Sequence, residues 1–263
     1  MGNLISIGLL AIFRDKVFHG ILGIAAIFLV IPSISSLSMR QVTELAITLS
    51  LSLLSVILLL LSVSLGATSL WKDIERRYTY SVLSLPMERS AYLIGKFIAV
   101  ALFLLLTALV LGAVACFVVW LSSGIYPSER PILWSSLLVC IIFSALKYII
   151  LVAYAFLFST VSTSFFLPIF GAISVFLAGN ATQQVYDYVH SPAAKSLAPL
   201  VKQAASLFYY LLPNFSAFDL QVNAIYGIAL SGKAVVLPCI YFCIYTPLLI
   251  VVAAVIFAGR EMK

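Results

Sequence analysis

Six stretches of this 263-residue chain are long and apolar enough to cross a lipid bilayer, and they fix most of what it can fold into. A membrane-spanning helix needs about 20 predominantly apolar residues. Against that ruler the candidates are residues 17–37, 45–70, 97–121, 132–158, 165–187 and 235–258. The expected fold is an all-α polytopic membrane protein with six transmembrane helices in one domain over 1–263. The fifth run is the weakest. Its apolar part, FFLPIFGAISVFLAG, is short, carries Pro168 and fades into the polar NATQQVYDY. The run ASLFYYLLP (205–213) is too brief to span and reads as interfacial.

Composition excludes the other broad classes. Hydrophobic residues make up 63% of the chain and charged residues 9%, where ordinary domains are about half apolar and about a quarter charged. The formal charge of +6 does not point to nucleic acid, because the basic residues bracket apolar runs instead of lining one face. Four cysteines, Cys116, Cys140, Cys239 and Cys243, lie inside apolar runs, which argues against a disulfide framework. Cys239 and Cys243 share a helix face, but no His or carboxylate accompanies them, so they read as packing residues and no metal site is expected.

Charge gives the orientation. With the N-terminus inside, the cytoplasmic flanks hold Arg14, Lys16, Lys72, Arg76, Arg77, Arg89, Lys96, Arg260 and Lys263. The short outer loops hold only Arg40 and Arg130. Cytoplasmic flanks are enriched in Lys and Arg, so both termini are expected inside. Residues 1–16 read as an interfacial amphipathic helix, with Ile5, Leu9, Ile12 and Phe13 on one face. The start MGNLIS also fits a permissive myristoylation pattern through Gly2 and Ser6. In the outer segment 188–234, Leu197, Leu200, Val201, Ala204, Leu207 and Phe208 recur at helical steps. They predict an amphipathic helix that serves as a cap, a gate or a docking surface for an extracytoplasmic protein.

Soluble chemistry is missing. No GxxxxGK[ST] phosphate loop occurs: the pairs Gly95–Lys96 and Gly232–Lys233 are followed by Phe97 and Ala234. There is no HExxH and no GxSxG, and His19 and His190 lack partner sets. No catalytic residue or cofactor is expected in this chain. If ATP is used, a partner must bind it.

Two features inside the spans carry polarity. Lys147 sits near the middle of the fourth span, where a lysine costs about 2.5–3.5 kcal/mol on insertion scales. It must face protein or water, either as a substrate contact or as a structural lysine bonded to a neighbouring helix. No acidic residue elsewhere in mid-span offers it a partner. In the second span Thr48, Ser52, Ser55, Ser62, Gly66 and Ser69 form a small-residue stripe. Such a stripe is a helix-packing seam, a seam between two copies, or the wall of a pathway.

The chain's charge is concentrated between the second and third spans, in WKDIERRYTYSVLSLPMERSAYLIGK (71–96), which holds eight charged residues. Asp73 is placed to cap a short helix. Ile74, Tyr78, Val82 and Leu85 then align, with Lys72, Glu75, Arg76 and Thr79 turned away. Pro86 ends or bends this helix, and Ser84 can cap the next one with Pro86 in its first turn. An apolar stripe flanked by both signs of charge suits a partner protein better than lipid alone.

These residues resemble permease subunits of ABC-2 type transporters. The matching pieces are FRDKVF (13–18), WKDIERRYTYSVLSLPMERSAYLIGKF (71–97) and FAGREMK (257–263). Pro86, Arg89, Tyr92, Gly95 and Lys96 match the family's P-x-x-R…Y-x-x-G-K pattern at the start of span three. The resemblance implies a coupling helix at 71–85 seated on ATP-binding cassette subunits, with Asp73, Ile74, Glu75, Arg76, Arg77, Tyr78 and Val82 as contacts. It also implies ATP and Mg held by those partners, a second copy or a related permease beside this one, and a bacterial or archaeal cytoplasmic membrane. A different reading is an ATP-independent carrier or channel built on Lys147. No internal repeat supports it.

Overall fold

The structure is a computed structural model. It describes residues 5, 6, 9, 10, 12, 19, 20, 23, 26–38, 41–75, 88–125, 130–162, 164–192 and 198–259, with side chains at all of these except 71–75 and 125. Among the described residues every regular element is helical. After a 3-10 turn at Ala26–Val30 come α1 (Ile31–Ser35), α2 (Val42–Glu75), α3 (Arg89–Ile125), α4 (Trp134–Val161), α5 (Phe166–His190), α6 (Pro199–Leu211), a 3-10 turn at Ser216–Phe218, α7 (Gln221–Tyr226) and α8 (Gly232–Gly259).

Five of these helices, α2, α3, α4, α5 and α8, are long and apolar enough to cross a membrane. They match the expected second to sixth spans. The first expected span, 17–37, is described mainly over its second half, where Ala26–Ser35 is a short apolar helical stretch. Most of the expected interfacial helix at 1–16 lies outside the described residues. Of it, Ile12 is buried and Leu9 lines a cavity together with Leu102, Phe103 and Leu106 of α3.

The weak fifth run is one unbroken helix for two reasons. Pro168 falls in the first turn of α5, where a missing N–H costs nothing. The polar residues that follow find partners: Asn180 Nδ2 donates to the Phe176 carbonyl at 2.8 Å, and Gln183 Nε2 to Asp187 Oδ1 at 2.9 Å.

The bundle is built around α4. Within the span 78% of α4 is buried, against 28% of α5 and 33% of α8. It packs on α2, α3, α5, α7, α8 and the Ser216–Phe218 turn. Three neighbours approach it through glycines. A Cβ at Gly66 of α2 would stand 2.8 Å from Ala155 Cβ, one at Gly112 of α3 2.6 Å from Ile141 Cγ2, and one at Gly171 of α5 2.8 Å from the Phe158 ring. Small residues matter here because lipid tails are as apolar as leucine, so close van der Waals contact replaces the hydrophobic drive of water. The faces turned away from α4 carry exposed Leu106, Val110 and Phe117 on α3, Phe170 and Leu177 on α5, and Ile244, Val251 and Val255 on α8. That apolar exterior is what a hydrocarbon surround requires.

Gly66→Val is expected to destabilise the bundle by about 1–3 kcal/mol through overpacking against Ala155. Gly232→Ala, where an added Cβ meets nothing within 4 Å, should leave stability unchanged. Thermal unfolding of the two variants in the same detergent checks the contrast.

Candidate functional site

Among the described residues polar groups gather at several places, and two bear on function. The first is the end of α2 and the start of α3, on either side of the charged segment. Residues 76–87, with Arg76, Arg77, Tyr78, Val82 and Pro86, lie outside the described residues. What flanks them is defined. Helix α2 runs without a break through Asp73 to Glu75, so the helix start expected at Asp73 is absent. Asp73 and Ile74 instead continue the second span, because nothing in SLWKDIE interrupts its backbone ladder. Helix α3 starts at Arg89, and the Tyr92 N–H donates to the Glu88 carbonyl at 3.1 Å.

The motif residues of α3 then face α2. Lys96 Nζ donates to the Ser69 carbonyl, and lies 5.7 Å from the ring centroid of Tyr92, which is itself buried. Gly95 is buried beside it. A lysine on the last turns of α2 also suits the negative end of that helix dipole. Lys96 thus ties together the two helices that bracket the charged segment.

The second place is inside the bundle, around Lys147. Its side chain is only 9% exposed. The ammonium lies 5.3 Å from the Phe176 ring centroid and 5.9 Å from that of Tyr148. Cation–π contact is the expected resting place for a desolvated ammonium beside aromatic faces. Tyr148 pairs with Ser55 of α2, hydroxyl to hydroxyl, at 2.5 Å. Its ring stacks on Phe176 with centroids 5.9 Å apart.

Asp219 lies within electrostatic range of Lys147, Tyr148 and Cys140 but is not ion-paired with Lys147. It belongs to the segment between α6 and α7, which packs against α4 and α5. Phe215 and Phe218 are fully buried there, against Phe176 at 6.0 Å and Phe143 at 6.1 Å. Gly179 of α5 makes room: a Cβ would lie 2.6 Å from both the Phe215 ring and the Pro213 carbonyl oxygen. The Phe215 N–H donates to the Gly179 carbonyl at 3.3 Å, Ser216 Oγ to the Asn180 carbonyl at 3.0 Å, and Asn214 Nδ2 to Gln183 Oε1 at 2.7 Å. Irregular backbone among apolar helices is tolerated when it is buried in protein like this. The sequence signal was present in NFSAFDL, whose aromatics fall three residues apart, but it names neither Gly179 nor Phe176 as what they pack on.

The small-residue stripe divides. Gly66 and Ser55 face α4 of the same chain. Ser62 is buried and donates to its own helix, to the Leu59 carbonyl at 2.8 Å, as Thr48 does to the Glu44 carbonyl at 2.7 Å. Ser52 is exposed. Among the described residues no cluster of His, Cys, Asp and Glu is arranged to hold a metal.

A model of the ABC-2 family transporter proteins matches residues 4–262. The chain belongs to that family. Among curated proteins nothing matches it. As an ABC-2 transporter protein it is a multi-pass membrane subunit, and the Lys96–Ser69 tie lies next to the segment that carries the family resemblance.

Because burying the Lys147 charge is costly and no ion pair offsets it, the two aromatic contacts notwithstanding, Lys147→Met should leave the unfolding temperature of this ABC-2 protein unchanged or raise it. Tyr148→Phe, which removes the bond to Ser55, should cost about 0.6 kcal/mol and no more than about 1.7. Parallel melting curves in detergent measure both.

Proposed function

We propose that this chain is the permease subunit of an ABC-2 type exporter. ATP binding and hydrolysis occur in separate partner subunits, which bring the Mg and the phosphate loop that this sequence lacks. The segment 71–85 seats on each partner, with Asp73, Glu75, Arg76 and Arg77 as polar contacts and Ile74, Tyr78 and Val82 as the packed anchor. The observation that carries this reading is Lys96. It joins α3 to α2 on either side of that segment, so a push delivered there acts on two spanning helices at once. Pro86, Arg89 and Gly95 shape the return into α3. The permease works as a pair, with a second copy or a related chain, in the cytoplasmic membrane of a bacterium or archaeon. Thr48 and Ser52, left over from the seam with α4, are available to that pairing or to the pathway. The amphipathic α6 offers an outer surface for an extracytoplasmic protein.

Replacing Arg76 and Arg77 by Glu should lower ATP-driven transport at least about tenfold and prevent co-purification of the ATPase, while melting behaviour stays as in the parent chain. An affinity purification from native membranes that brings down no ATPase, with transport untouched by the charge reversal, would sink the proposal. The buried Lys147 favours a second reading, an ATP-independent carrier or channel. That reading predicts uptake in vesicles containing this chain alone, abolished by Lys147→Met.

A further inference from the structure

A cavity of about 380 Å³ lies where the end of α6 meets the first half of α8, within the size range of small-molecule sites. Four tyrosines line it: Tyr209 and Tyr210 from α6, Tyr241 and Tyr245 from α8. Their rings are set in different directions. Tyr209 and Tyr210 stand at 79° with centroids 5.4 Å apart, and Tyr241 and Tyr245 lie nearly parallel, at 16° and 4.9 Å. The cavity can be reached from outside the protein, because Tyr210 and Leu237, which line it, are 75% and 63% exposed.

None of the residues lining it carries a formal charge, and its polar groups are largely engaged. The Asn214 amide donates from Nδ2 to Gln183 Oε1 at 2.7 Å and accepts at Oδ1 from the Ala217 N–H at 3.2 Å. The Tyr209 hydroxyl donates to the same Gln183 oxygen at 3.3 Å, and the Tyr245 hydroxyl pairs with that of Tyr154. A sugar or other polyol would find few partners here and would leave its own hydroxyls unpaired. What the cavity does offer is negative potential without a carboxylate. Aromatic faces attract cations through their quadrupole. Tyr209, Tyr210 and Leu212 also bring the C-terminal end of α6 to the cavity. That is the negative end of the helix dipole, and no basic residue stands in its last turn. A cation that needs no hydrogen bonds suits both properties. A quaternary ammonium is such a cation, since it has no N–H and its alkyl groups lie flat against aromatic rings.

We propose that this cavity binds a quaternary ammonium group, held by the tyrosine rings of α6 and α8. The site involves neither Lys147 nor the charged segment, and it stands whether or not ATP drives transport.

The test uses the full chain purified in maltoside micelles, with tritiated choline as the probe and binding counted by scintillation proximity. The competitor is the uncharged carbon analogue of choline, in which a tert-butyl group replaces the trimethylammonium. It is expected to displace the label only at a concentration about tenfold or more above that of unlabelled choline. Tyr210→Leu, at a largely exposed position, should weaken choline binding about threefold to tenfold and leave the melting temperature unchanged. Tyr210→Phe, which keeps the ring, should bind as the parent chain does. Dihexanoyl phosphatidylcholine, added below its micelle-forming concentration, separates two sources of the same chemistry. Displacement of the label assigns the group to a lipid headgroup, and no displacement assigns it to a dissolved compound; both sustain the ammonium site. Choline that does not bind, or that its uncharged analogue displaces equally well, would overturn the proposal and leave an apolar cavity filled by hydrocarbon chains. So would choline binding that survives Tyr210→Leu combined with Tyr241→Leu.

Discussion

Everything in this bundle depends on how closely its neighbours can approach α4. In water, burial of leucine and phenylalanine would hold such helices together; in lipid that drive is absent, and contact distance takes its place. Gly66, Gly112 and Gly171 sit on three different helices and meet the same central one. Each removes a side chain at the point of contact, so the α4 backbone is enclosed on several sides. The enclosure in turn makes Lys147 a buried residue. A lysine at the same place on α5 or α8, which are largely exposed, would have had a route to the surface.

A buried ammonium needs company, and the fold supplies it. The aromatic faces of Tyr148 and Phe176 stand beside it, and Asp219, on the chain between α6 and α7, acts on it only at longer electrostatic range. That segment is held by Phe215 on Gly179 and by the amides of Asn214 and Gln183. Polar residues that made the fifth span look weak are thus the ones that fasten the inserted loop. The lining of the interior and the anchoring of the α6–α7 segment are one piece of construction.

The sequence reveals these parts unevenly. Apolar length alone marks α2, α3, α4, α5 and α8, because the bilayer imposes a length and the chain must meet it. That Lys147 must face protein or water follows from its position in such a run, but its enclosure by neighbouring helices does not. The Phe215–Asp219 insertion does not, because its partners are far away in sequence and the bonds are made by ordinary Asn, Gln and Gly residues. Helical periodicity foresees α6 but says nothing of the Tyr209–Tyr186 stacking at 4.2 Å that lays it against α5. Asp73 misleads for a related reason. Capping chemistry describes what a residue can do at a helix start, and the unbroken ladder from Val42 to Glu75 never offers it that position.

The tie between Lys96 and the Ser69 carbonyl has a mechanical meaning. Helix α2 holds 34 residues, so at about 1.5 Å per residue it is about 50 Å long. A rod of that length, tilted by about 5° at one end, sweeps its far end through about 4 Å. Bound near the same end to α3, a helix of 37 residues, it cannot swing alone. The pair behaves as a two-pronged fork, and a small displacement at the handle is magnified at the tips, on the far side of the membrane.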